Sequence, residues 1–179
     1  MAPGSSAVAG IFGKLPAHGD FVRRGWPDET IDAVDRWLTA GVAALRDSRD
    51  EDAFADAMRA APMWHGHVPA GQLGPLALHL AVAPSTDRAG RLFPIAAGWA
   101  GRGRAGSATV LDESIYDAVA GRLDADALVA ALDGAAADGE GHAPAVSAWW
   151  PGVPGGEPAV ESDTVDAALL HRLLSGEPA

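Results

Sequence analysis

The stretch Gly10-Ile11-Phe12-Gly13-Lys14-Leu15-Pro16-Ala17-His18-Gly19-Asp20-Phe21-Val22 constrains the chain most, because an apolar run breaks there into a turn of proline, glycine and charge. Ile11 and Phe12 read as the end of a buried strand. Pro16 fixes one backbone angle, and Gly19 permits a positive φ that other residues resist. Such a turn has a definite shape. It serves either as scaffold, with Asp20 capping backbone amides and Phe21 plugging the core, or as a recognition surface. The two uses are compatible.

Around this turn the chain alternates between helical and strand patterns. Val8 to Lys14 is a first strand. Trp26-Pro27-Asp28-Glu29-Thr30 then places a proline and two acids at a helix start, and Ile31, Val34, Trp37, Leu38, Val42 and Leu45 recur at helical spacing. A helix from Asp28 to Arg46 follows. Asp50 caps a second helix with Phe54 and Met58 on its buried side, ended by Pro62. Met63 to Val68, Pro75 to Ala83 and Leu92 to Ala100 are short apolar runs punctuated by Gly or Pro, and so read as strands. The last two, joined by the polar loop Pro84 to Arg91, form an antiparallel pair.

Asp112 to Ala120 and Asp124 to Leu132 predict a helix pair with Ile115, Tyr116, Val119, Leu128 and Leu132 inward, ended by Gly134. Ala135 to Gly141, small and polar, reads as mobile. Val146 to Trp150 is a strand whose adjacent tryptophans, Trp149 and Trp150, point to opposite faces. Thr164 or Asp163 caps a closing helix with Leu169, Leu170, Leu173 and Leu174 on one side. The fold class is therefore α/β: one layered sandwich with a mixed, mostly antiparallel sheet flanked by helices. Residues 1–7 read as a flexible leader and 8–175 as a single domain.

Composition narrows the function. With 24 acidic against 13 basic residues the net charge is −11, which repels nucleic acid and anionic lipid surfaces. The absence of cysteine removes disulfides, thiolate nucleophiles and Cys-ligated metals, and fits a reducing cytoplasm. Neither a signal peptide nor a membrane span is readable, so cytoplasmic localisation is expected.

Four patterns in the sequence bear on its chemistry. Gly101-Arg102-Gly103-Arg104-Ala105-Gly106 matches the dinucleotide fingerprint, but Ser107 to Leu111 favours no immediate helix, as that site requires. A phosphate-binding loop at Lys14 fails, since Val8 stands for its first glycine and Leu15 for its hydroxyl. Lys14 then reads as a turn or surface lysine. His65 and His67 share a strand face and His79 could approach them, but no further ligand is fixed by spacing. No nucleophile elbow is present. What remains is a pair of turns: the opening one, and Pro84 to Pro94, where Arg88 or Arg91 can clamp Asp20 or Asp87 bidentately and tie the turns together, or face a partner.

At these residues the chain resembles the TagF (ImpM) proteins of bacterial type VI secretion. The resemblance rests on Gly13-Lys14-Leu15-Pro16 with Gly19-Asp20-Phe21-Val22, on Asp35-Arg36-Trp37-Leu38 and on Pro62-x-Trp64. It continues through Pro84-Ser85-x-Asp87-Arg88-x-Gly90-Arg91-x-Phe93-Pro94 and Ser147-x-Trp149-Trp150. It implies a compact α/β sandwich similar to longin or SRX-like domains. It also implies a cytoplasmic, non-enzymatic accessory protein that restrains secretion after translation through contact with a forkhead-associated-domain scaffold. Departures are His65-Gly66-His67 after the tryptophan, Ala83 before Pro84, and a short segment from 101 to 146.

The expected partner-reading or motif residues are Lys14, Pro16, Gly19, Asp20, Phe21, Asp87, Arg88, Gly90, Arg91, Phe93, Trp149 and Trp150. No catalytic residue, metal or cofactor is expected. The alternative is a nucleotide- or metal-dependent enzyme using the Gly101 to Gly106 loop or His65 and His67.

Overall fold

The computed structural model describes residues 7–101, 106–136 and 144–176. In chain order the elements are β1 (Val8–Gly13), β2 (Val22–Arg24), α1 (Asp28–Asp47), α2 (Glu51–Ala60), β3 (Trp64–Val68), β4 (Leu78–Ala83), β5 (Ile95–Ala100), α3 (Ala108–Val119), α4 (Ala125–Ala135), β6 (Ser147–Pro151), β7 (Val160–Ser162) and α5 (Ala167–Ser175). The strands form one seven-stranded sheet in the order β2-β1-β5-β4-β3-β6-β7. Every pairing between these strands is antiparallel.

Two-residue periodicity sends alternate side chains to two different cores. Phe12, Leu78, Leu80, Val82 and Trp149 meet α1, α2 and α5 on one face. Ile11, Ala81, Ile95, Ala97 and Trp99 meet α3 and α4 on the other. The result is a three-layer α/β sandwich. Glycine admits the largest rings: a side chain at Gly66, opposite Trp149 in the β3–β6 register, would occupy the indole's place. Each of the six tryptophans donates its indole N–H, five of them to backbone carbonyls and Trp149 to Ser147 Oγ. Burial of these rings therefore leaves no indole donor orphaned.

Helix starts follow local chemistry. Asp50, Ser107, Asp124 and Asp166 each accept a backbone N–H three residues on, and Pro27 precedes the two acids that open α1. Three expectations change here. Ser107 caps a helix beginning at Ala108, although Ser107 to Leu111 reads as non-helical in sequence; the serine cap outweighs the β-branched residues behind it. The closing helix is capped by Asp166, not Thr164 or Asp163. Tyr116 faces outward and is 59% exposed, one step round α3 from buried Ile115. Strands β4 and β5 begin later than expected, and the short edge strands β2 and β7 have no clear apolar signature. Residues 1–6 of the expected leader at 1–7 and most of the small polar stretch up to Gly141 lie outside the described residues.

Truncating the fully buried Trp149 to alanine removes its contacts with Trp37, 5.5 Å away between ring centroids. Trp149→Ala is expected to cost about 3–5 kcal/mol in urea denaturation. Trp150→Ala, on the half-exposed side of the same strand, is expected to cost much less.

Candidate functional site

The turn after β1 and the β4–β5 connection meet at one buried carboxylate. Asp87 Oδ1 accepts the backbone N–H groups of Ala89 and Arg91, both at 3.0 Å. Asp87 Oδ2 accepts Lys14 Nζ at 3.0 Å and Arg91 Nε at 2.7 Å. The side chain is wholly inaccessible. Burial alone would push its pKa up, but the hydrogen bonds from Arg91 N–H, Lys14 and the Arg91 guanidinium, with the Lys14 charge, hold it well below the ordinary 3.8.

Both arginines of this loop then reach across to the first turn. Arg88 donates its backbone N–H to His18 O at 2.8 Å and its guanidinium to Ala17 O. Arg91 Nη2 donates to Gly19 O at 2.9 Å. His18 in turn accepts the Ala125 N–H at the start of α4 on Nε2 at 3.0 Å. Gly13 sits at φ 140° with its α-carbon against the Pro94 carbonyl, and Gly90 sits at φ 81°, so both positions require glycine. Pro16 lies between them in the first turn.

The expected ties between the turns are thus present with different partners. Arg91 clamps Asp87, as one of the four pairings foresaw. Asp20 is not held by either arginine: it is exposed and, among the described residues, accepts only the N–H of Phe21. Arg88 pairs with carbonyls rather than a carboxylate. Lys14 is not a surface lysine but a buried one, carried inward because Gly13 turns the end of β1 under the loop. Gly19 does not use a positive φ; Gly13 and Gly90 do.

On this frame the rings of Phe12, Phe21 and Phe93 form a cluster. Phe21 stacks on Phe12 at 5.7 Å and meets Phe93 edge-on at 4.9 Å, while Lys14 Nζ lies 5.0 Å from the Phe21 centroid. Phe21 is not a core plug, for it remains 43% exposed. It stands at one side of a groove of about 690 Å³ whose other wall is α1 and α2, with Val42 and Phe54 at its base. Trp149 and Trp150 lie at the far end of the sheet and take no part.

The histidines form a separate group on the α3/α4 face. His67 and His79 are register partners with ring centroids 4.2 Å apart, His67 lies 5.0 Å from Trp150, and His65 Nε2 is 3.0 Å from Asp112 Oδ1. Burial lowers the pKa of all three, with the Asp112 hydrogen bond and charge opposing it at His65. At His67 burial and the nearby His79 and His65 bring it to about 4. Among the described residues no group of three or more His, Asp or Glu is placed to hold a metal ion. Gly101 and Gly106 bracket a connection between an antiparallel strand and α3, so the β-α-β unit of a dinucleotide site is absent there; Arg102 to Ala105 lie outside the described residues.

The family described as TagF N-terminal domain, type VI secretion system-associated, matches residues 10–137. This chain belongs to that family. The matched span contains both turns of the Asp87 lock and ends before β6. Among solved structures, PA0076 from Pseudomonas aeruginosa PAO1 shares the fold with a TM-score of 0.78 at 22% identity, over 96% of each chain. No curated protein sequence matches. Membership makes the chain a type VI secretion-associated protein. Among the described residues no helix is long and apolar enough to cross a membrane.

Two pH regimes follow. The Asp87 contribution is complete above the ordinary carboxylate value of 3.8 and is lost as pH falls below it toward the depressed folded value. The histidines remove stability earlier. Unfolded histidines take up protons below 6.5 while folded His67 resists until about 4, so stability falls with pH across that window. Urea midpoints measured from pH 7 to 4 should decline, and His67→Gln should flatten that decline. Asp87→Asn should lower the melting temperature at pH 7 far more than Asp20→Asn.

Proposed function

We propose that this chain is a non-catalytic accessory protein of type VI secretion that acts in the cytoplasm. It restrains the apparatus after translation by binding a forkhead-associated-domain scaffold, and the double turn is its contact surface. The observation that carries the reading is Phe21: a large aromatic side chain left 43% exposed on a turn whose carbonyls accept from Arg88 and Arg91, the latter held by buried Asp87. An exposed ring on a mobile loop would lose its rotational freedom on binding, whereas a ring already held between Phe12 and Phe93 has little left to lose. Aromatic and arginine side chains in such settings dominate binding energy. Family membership supplies the pathway, and the scaffold follows from the resemblance carried by Gly13 to Val22 and Pro84 to Pro94.

The roles divide accordingly. Lys14, Asp87, Arg88 and Arg91 hold the surface in shape, while Asp20 and Phe21 are free to be read. In a pull-down with the scaffold from the same secretion cluster, Phe21→Ala is expected to weaken capture by at least about tenfold, as loss of a hot-spot ring does. Asp20→Ala should weaken it less. Tyr116→Ala, an exposed ring on the opposite layer, should leave it unchanged. Deletion of the protein should switch secretion on. Full capture by Phe21→Ala would remove the contact assignment, and loss of secretion on deletion would remove the restraining role.

A further inference from the structure

Two histidines on the α3/α4 face of the sheet have no polar partner. His67 of β3 and His79 of β4 stand directly opposite one another in the antiparallel register, with ring centroids 4.2 Å apart. Their neighbours are aromatic: the Trp150 ring lies 5.0 Å from His67, and Trp99 is the register partner of His79 on β5. Among the described residues neither imidazole makes a hydrogen bond, and Nδ1 of His79 is fully buried. Buried polar atoms almost always find a partner, so this nitrogen needs one that the described chain does not supply. His65 shows the contrast on the same strand face, for its Nε2 meets Asp112 Oδ1 at 3.0 Å and ties β3 to α3.

The space beside the pair limits what fills it. His67 and His79 line a cavity of about 20 Å³ together with Trp99, Leu111 and Pro154, which has room for one water-sized occupant and not for an organic ligand. The two rings are tilted 51° to each other rather than stacked flat, so their in-plane lone pairs can converge on one point. Among the described residues no carboxylate lines this cavity. Imidazole nitrogens without carboxylates suit zinc, copper and nickel, whereas magnesium and calcium take oxygen ligands.

We propose that His67 and His79 form a two-imidazole site for a divalent ion of the zinc, copper and nickel class. Two protein ligands are all that the described residues offer, since no group of three or more His, Asp or Glu is placed to hold an ion. Both side chains are partly exposed, so water completes the coordination shell from the open side. The strand pairing fixes both ligands before the ion arrives, and little ordering remains to oppose binding. The ion bridges β3 and β4 and gives the orphaned nitrogen of His79 a partner. The site lies across the sheet from α1 and α2, and it is independent of the scaffold reading.

The test titrates the full, untagged chain, labelled with nitrogen-15, with zinc sulfate and separately with magnesium sulfate. Zinc should bind one-to-one and move the ring-nitrogen resonances of His67 and His79 before those of His18 and His171. It should also raise the melting temperature, as a ligand of the native state does, and magnesium should do none of these things. His67→Phe and His79→Phe keep a ring in place and remove the ligand. Each should weaken zinc binding by at least about tenfold, the lower end of what even an outer-shell change costs a metal site, while His171→Gln leaves it unchanged. No zinc binding by the wild type, magnesium binding as tight as zinc, or shifts centred on His18 or His171 would overturn the proposal. So would zinc affinity unchanged in both phenylalanine variants. If those variants fail to fold, the ring-nitrogen shifts of the wild type decide alone.

Discussion

One carboxylate organises the candidate surface. Asp87 receives four hydrogen bonds, two from its own loop and two from side chains that fix where that loop lies. Its burial is tolerable because every lone pair is engaged and two cations face it; a carboxylate in the same place with one partner missing would be strongly destabilising. Arg88 and Arg91 extend the connection to the carbonyls of Ala17 and Gly19. Two turns about seventy residues apart in sequence thereby become one rigid feature. Such a polar centre adds less to net stability than to specification, since a hydrophobic replacement of similar volume packs without demanding partners in fixed directions.

The sheet explains why the feature sits where it does. Strands β1 and β5 are antiparallel neighbours, so the end of β1 at Gly13 and the start of β5 at Ile95 lie side by side at one edge of the sandwich. The loops leaving them must meet there. Lys14 follows Gly13 directly, and the positive φ of that glycine turns the lysine beneath the β4–β5 loop instead of out to solvent. On the α1/α2 side of the same edge the groove opens, lined by both cations and carboxylates around Phe21 and Phe54.

Much of this architecture is legible in the residues. The alternation of Leu76, Leu78 and Leu80, the acids behind Pro27 and the cap at Asp50 are local signals, and the elements they announce are present, with β4 starting at Leu78 rather than Pro75. Edge strands are harder: three-residue β2 and β7 bury too little for an apolar pattern and exist because a neighbour offers hydrogen bonds. The direction of a single helical residue is equally elusive, as Tyr116 beside Ile115 demonstrates. At the site, Arg91 on Asp87 is one of four pairings that the residue types allow, and the sequence does not select among them. The burial of Lys14 is not legible either, because it depends on a contact formed across seventy-three positions. The resemblance to TagF proteins singled out both turns, but neither it nor the spacing distinguishes the residues that hold the surface from those that are presented on it.

The central claim is that Asp87 couples the two turns into one cooperative unit, and native-state hydrogen exchange of the wild type and Asp87→Asn tests it most directly. The account predicts that protection falls together at the Arg88 and Arg91 amides and at His18 in the first turn, while amides of β3 and β4 exchange as before. A loss confined to residues 87–91, with His18 still protected, would contradict it.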